Sequence, residues 1–171
     1  MIECPPHARA EKTIVIGLGE LHATKEADTV LVCLGIGSCI ALCAYDTIAK
    51  VAGMAHLVLP SSLEGRNSAS TAKFVDRGIP LLLGQMEGLG AMRTRIVAKM
   101  AGGANMLTAA GISNSLNIGE RNIQAARTVL ADLGLPLRAD DTGGNRGRTV
   151  RLCVHSGRIT VSTAGGSAYE L

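Results

Sequence analysis

Aromatic residues are nearly absent from this chain. It has no Trp, two Tyr and one Phe among 171 residues. A core must therefore be built from Val, Ile, Leu, Ala and Met. Without aromatic platforms, and with basic residues scattered to a net charge of only +3, nucleic-acid binding is excluded as the main reading. No run approaches the ~20 apolar residues that a membrane span needs. The opening MIECPPHARAEK has no apolar stretch of the secretory kind. The expectation is a cytoplasmic protein with no membrane insertion. There is no CxxC, so the five cysteines read as thiols rather than as a disulfide framework. Cys33, Cys39, Cys43 and His56 lack the usual zinc-ligand spacing, and no metal is expected.

What is present is apolar and glycine-rich. Hydrophobic residues make up 47% and charged residues 18%, the balance of a globular chain long enough to bury a core. The expected division is a loose N-terminal arm over 1–12, one domain over 13–162 and a flexible tail over 163–171. Thr13–Leu18, Thr29–Leu34, Ile40–Tyr45 and Val51–Leu59 read as strands. A polar segment, 19–28, reads as a loop. A mobile polar loop over 61–70 is followed by a helix with Pro80 in its first turn and Gly90 at its end. Arg95–Met100 is a strand. Asn117 and Glu120 look like the cap and third position of a second helix, which Gly134-Leu135-Pro136 stops. Leu137–Ala139 is a short strand, and Thr149–Val154 and Arg158–Ser162 form a hairpin around Ser156-Gly157. Strands grouped in blocks with two helices inserted point to an α+β fold with a mixed or largely antiparallel sheet system.

The chemistry is concentrated in LVCLGIGSCIALCAYDTIAKVAGMAHLVLP, residues 31–60. Suppose Asp46–Ala49 closes a hairpin with Tyr45 opposite Lys50. Cys39 then faces His56, both on one side, with Cβ atoms ~4.5–5.5 Å apart. A thiol beside an imidazole is a nucleophile beside its base. The backbone N–H groups of Gly37-Ser38-Cys39 are a candidate oxyanion hole. The competing reading is a small buried cysteine and a histidine bonded to backbone. That plain reading holds for Cys4, Cys43 and Cys153, and solvent exposure accounts for His7, His22 and His155.

LGIGSCIALCAYD followed by GMAHLVLP resembles the CheD family of chemoreceptor glutamine deamidases, and AKMAGGANML, NIGERN and DTGGNRGR follow in the family's order. The resemblance spans about Ile14 to Ile159. It implies a β-sandwich flanked by helices, akin to a toxin deamidase domain. The implied activity is hydrolysis of glutamine side-chain amides on methyl-accepting chemotaxis receptors. In some members a CheC-type phosphatase is a partner. The family's nucleophile falls on Cys39 and its base on His56. Its third member, commonly a Thr six residues before the nucleophile, falls here on Cys33, and a thiol is a weaker hydrogen-bonding group than a hydroxyl. Either Cys33 serves poorly, or a backbone carbonyl or another side chain takes over, with Thr29 and Ser38 as nearby candidates, or the activity is reduced. Asn105 is a candidate to offer its amide to a substrate glutamine. Glu120 and Arg121, and Asp141, Asn145 and Arg146, read as scaffold. No cofactor is called for. The rivals are a receptor- or phosphatase-binding module with weakened catalysis, and a cysteine peptidase or transglutaminase-like acyltransferase.

Overall fold

The computed structural model describes residues 12–64, 71–106, 117–163 and 165–171. Residues 1–11 of the expected arm over 1–12, with Cys4 and His7, and residues 65–70 of the expected mobile loop lie outside the described residues, and Lys12 opens β1. Ten strands and two long helices are described: β1 (Lys12–Val15), β2 (Leu21–Thr24), β3 (Thr29–Ile36), β4 (Ile40–Asp46), β5 (Val51–Leu57), α1 (Val75–Gly88), β6 (Ile96–Gly102), α2 (Ile118–Asp132), β7 (Leu137–Thr142), β8 (Arg148–Cys153), β9 (Ile159–Thr163) and β10 (Tyr169–Glu170).

The strands form two five-stranded sheets, ordered β1-β3-β8-β9-β10 and β2-β5-β4-β6-β7. Both are mixed: β1 runs parallel to β3 and β7 parallel to β6, and the other pairs are antiparallel. One apolar cluster joins the sheets, with Leu31, Val150 and Leu152 from the first meeting Ala41, Met54 and Ala101 from the second. A second cluster lies on the other face of the second sheet, where Leu42, Leu57, Leu82 and Met86 pack with Ile123 and Leu130. The second sheet is therefore covered on both faces, and β4 and β5 are buried at all seven positions each. That burial explains their unbroken apolar spelling, which in an open antiparallel sheet would alternate. The expected α+β sandwich with flanking helices is the architecture found.

The β4–β5 register differs from the expected one. Asp46 pairs with Val51 and Ala41 with His56, so partners sum to 97 rather than 95, and the four-residue loop is 47–50. Asp46 causes the difference. Its carboxylate accepts the N–H groups of Ile48 and Ala49 at 2.9 and 3.0 Å, an Asx-type closure that keeps it in the strand. The shift is of two residues, so every side chain keeps its face.

Four further differences are local. Helix α1 begins at Val75, whose N–H bonds Leu59 O at 2.9 Å, so Pro80 stands inside the helix and not in its first turn. The 19–28 segment contains β2, which pairs with β5 at an edge. The tail returns as β10 against β9. Cys153 is disulfide-bonded, unlike the free Cys33, Cys39 and Cys43. The other caps are as expected: Asn117 Oδ1 accepts from Glu120 N at 3.3 Å, and Gly90 takes a positive φ of 101° after Leu89.

Candidate active site

Between β3 in one sheet and β4 in the other, the chain crosses through Gly37-Ser38-Cys39. Each carbonyl of this turn is held. Ala104 N–H donates to Gly37 O at 2.8 Å, and Gly103 N–H donates to Cys39 O at 2.8 Å. Asn122 Nδ2 donates to Ser38 O at 2.8 Å. The approach of β6 depends on glycine: a Cβ on Gly102 would stand 2.1 Å from Cys39 O, and its φ is +126°. Both facts exclude a side chain there.

Cys39 precedes β4 and packs against the inter-sheet cluster that contains Ala41. His56 lies directly opposite Ala41. Residues 39 and 41 share a face, so Cys39 and His56 are diagonal neighbours on one face rather than a directly opposed pair. Diagonal positions lie ~7–8 Å apart at the backbone, within reach of a ring side chain.

His56 is only 4% exposed, and the β1–β2 connection holds it at three points. Its Nδ1 lies 3.3 Å from Ile16 O. Its N–H donates to Glu20 O at 2.9 Å, and its carbonyl accepts from Gly19 N–H at 3.0 Å. A carbonyl only accepts, so Nδ1 carries the proton and Nε2 keeps its lone pair. Nε2 is buried and has no hydrogen-bond partner among the described residues.

Burial sets the resting charges. It raises the Cys39 thiol, an effect only partly offset by the thiol's own backbone N–H. It lowers the His56 imidazole against the pull of Ile16 O and Glu20. Both shifts favour the neutral forms of the two groups.

The other expected residues are placed as follows. Cys33 is fully buried in the inter-sheet cluster. Burial, with Cys39 nearby, pushes its thiol up to about 12. The group that orients His56 is the Ile16 carbonyl. Asn105 is partly buried, and its N–H donates to Gly144 O at 2.8 Å, beside the turn of residues 143–147. In that turn's flanks, Asp141 takes a bidentate pair from Arg148 at 2.8 and 2.9 Å, and Tyr169 also donates to it. These bonds are scaffold. Two contributors had no obvious sequence signal. Ile16 acts through a backbone atom. Asn122 closes the NIGERN stretch, and its one clue is a polar residue on the buried stripe of α2 beside Ile123 and Ala126. Among the described residues no cluster of three His, Cys, Asp or Glu could hold a metal, and no helix is long and apolar enough to cross a membrane.

Comparison with known proteins points in one direction. A family described as "CheD chemotactic sensory transduction" matches residues 58–163. A protein of Symbiobacterium thermophilum named "Probable chemoreceptor glutamine deamidase CheD" is 44% identical over 91% of this chain and 95% of its own. One of Thermotoga maritima named "Chemoreceptor glutamine deamidase CheD" is 41% identical over 89% of this chain and 92% of its own. Among solved structures, the Bacillus licheniformis hypothetical protein YfiH is 13% identical, with a TM-score of 0.46, covering 78% of this chain and 60% of that one. With a family match over more than half of its length and relatives above 40% identity over about nine-tenths of it, this chain belongs to the CheD family.

Proposed function

We propose that this protein is a chemoreceptor glutamine deamidase, hydrolysing glutamine side-chain amides on methyl-accepting chemotaxis receptors with Cys39 as nucleophile and His56 as base. The observation that carries the chemistry is the His56 ring: Nδ1 is fixed on Ile16 O, and a buried Nε2 lone pair has no partner among the described residues. The names of the curated relatives supply the substrate class.

The reaction runs from the neutral pair. On attack, the Cys39 Sγ–H proton passes to His56 Nε2 as sulfur bonds to the amide carbon. The N–H groups of Ser38 and Cys39 receive the developing oxyanion. The C–N bond breaks as the imidazolium gives its proton to the departing amide nitrogen, which leaves as ammonia. Water then attacks the thioester, giving a proton to His56. The C–S bond breaks, leaving glutamate and a restored thiol. The Sγ to Nε2 contact closes when substrate enters, as catalytic hydrogen bonds often do.

In this reading the Ile16 carbonyl performs the orienting task, and Cys33 is a packing residue at the third position. Gly37 gives the turn its close approach, with Met106 Cγ 3.1 Å from where a Cβ would stand. Asn105 lies at the border from which an amide could meet the substrate glutamine. Leu18, Leu34 and Met106, on segments flanking the dyad, are 71%, 52% and 46% exposed. Exposed apolar side chains on these segments suit a protein substrate better than free glutamine. The reading is completed by a cytoplasmic setting and by a CheC-type phosphatase as a second partner, which titration calorimetry would test.

The decisive experiment incubates the protein with a receptor cytoplasmic fragment and maps glutamine-to-glutamate conversion by mass spectrometry. Conversion by wild type and its loss in Cys39→Ala is the expected result. Conversion that survives Cys39→Ala removes the mechanism. Binding without conversion by wild type favours the module reading, which the replacement of a hydroxyl by the Cys33 thiol motivates.

A further inference from the structure

Helix α2 reaches into the nucleophile turn through one side chain. Asn122 is fully buried. Its Nδ2 donates both protons, to Ser38 O at 2.8 Å and to Val58 O at 2.9 Å. Two carbonyl acceptors fix the amide orientation, because only the NH2 end can donate to both. The carbonyl end, Oδ1, is buried with no partner among the described residues. Orphaning a buried acceptor is unfavourable, so the amide is held here by its two donors.

The peptide plane gives this contact its consequence. All peptide bonds in the described chain are trans. In a planar trans peptide, the C=O of one residue and the N–H of the next point in opposite directions. The Ser38 carbonyl and the Cys39 N–H belong to one plane. The Gly37 carbonyl and the Ser38 N–H belong to the plane before it. Ala104 N–H holds the Gly37 carbonyl, which aims the Ser38 N–H. Asn122 holds the Ser38 carbonyl, which aims the Cys39 N–H. One of the two plane settings thus comes from backbone and the other from a side chain on a different element. The second Nδ2 bond ties that side chain to Val58, two residues beyond His56 on the exit of β5.

We propose that Asn122 is a positioning residue for acyl transfer: it sets the Ser38–Cys39 peptide plane so that the Cys39 N–H is aimed at the oxyanion, and ties that plane to the strand carrying His56. This rests on Cys39 as the nucleophile. It does not rest on the receptor as substrate.

The test separates oxyanion stabilisation from thiol reactivity. Alkylation of Cys39 by iodoacetamide is a displacement at saturated carbon and forms no oxyanion. Acylation by p-nitrophenyl acetate passes through a tetrahedral oxyanion and releases p-nitrophenolate as the Cys39 thioester forms. Asn122→Leu removes both donors at similar volume. Asn122→Ser keeps one donor and stands in for the Leu variant if that one does not fold. The expected result is an acylation rate about 30-fold lower, short of the roughly 100- to 1000-fold for removing an oxyanion donor outright because the Cys39 N–H is misaimed and not lost, with alkylation within about threefold of wild type. With receptor fragment, kcat falls by a similar factor and KM holds. Acylation unchanged within threefold overturns the proposal, as does a parallel fall in alkylation, which would mean a role in thiol placement. A wild type inert to the ester also overturns it. If wild type acylates but converts no receptor glutamine, the deamidase reading fails and the Asn122 assignment is still decided.

Discussion

At the scale of single residues, the site is set by which atoms of His56 are already engaged. Because burial holds its pKa below the ordinary 6.5, the imidazole keeps its lone pair below that pH. The acid limb of kcat/KM is therefore expected below pH 6.5, and a pH–rate profile of receptor deamidation measures it. A limb at or above 6.5 would mean that the ring is not the base, or is more solvated than its 4% exposure indicates. Because Nδ1 is bound to the Ile16 carbonyl, restoring a hydroxyl at the third position should matter little. Cys33→Thr is expected to leave kcat within about threefold. It should cost ~1–2 kcal/mol of stability, read by denaturant titration, because it puts a hydroxyl and an extra methyl into a fully buried site. Cys39 and His56, proposed above as nucleophile and base, could be singled out in the sequence because those roles have letters of their own. Ile16 was not, since any residue supplies a carbonyl.

Elements deliver those residues, and their junctions were harder to read than their bodies. The β4–β5 hairpin was found from its apolar runs, but its register was not. Asp46 reads as a loop residue by composition, yet it stays in the strand. Its carboxylate collects Ile48, Ala49 and Met92 N–H groups and the Arg95 guanidinium. Edge strands β2 and β10 escaped notice because four residues and two residues carry little pattern, and their neighbours β5 and β9 determine them. Helix α2 was legible from Asn117 and Glu120, but its close seating was not. A Cβ at Gly119 would stand 2.4 Å from Gly103 O, so Gly119→Ala must push the helix off the exit of β6. The expected loss is about 2 kcal/mol in chemical denaturation. Deamidation should fall further than that, since Asn122 is carried on the same turn. Full activity in Gly119→Ala would show that the seating is not needed.

For the whole molecule, two hydrogen-bonded carboxylates, the buried Asp46 and the half-buried Asp141, give stability a defined acid edge. Burial alone would raise Asp46, but its N–H and Arg95 partners outweigh it and hold it down to about 2, from 3.8. Asp141 is also held low, first by its Arg148 hydrogen bonds. Groups depressed on folding bind more protons in the unfolded chain, so stability falls as pH drops. Their contribution is complete above 3.8 and is lost as pH approaches 2. Thermal melting from about pH 5 down to about pH 2 should show a steep loss that Asp46→Asn flattens. The variant itself is expected to be ~2 kcal/mol less stable at neutral pH. An unchanged acid slope would assign the acid edge to other groups.

The thiol stands where the chain leaves one sheet for the other, and the carbonyl that orients the imidazole follows β1 of the first sheet, while the imidazole itself lies on β5 of the second. The catalytic alignment is thus a vernier read between two plates. One residue of slip along a strand is about 3.3 Å, more than any hydrogen bond at the site tolerates. Thinning the layer between the plates with Met54→Ala would leave every strand paired yet free the plates to slide. Turnover should then fade on warming while circular dichroism still reports a folded chain. In this fold the enzyme would fail as an instrument before it fails as a structure.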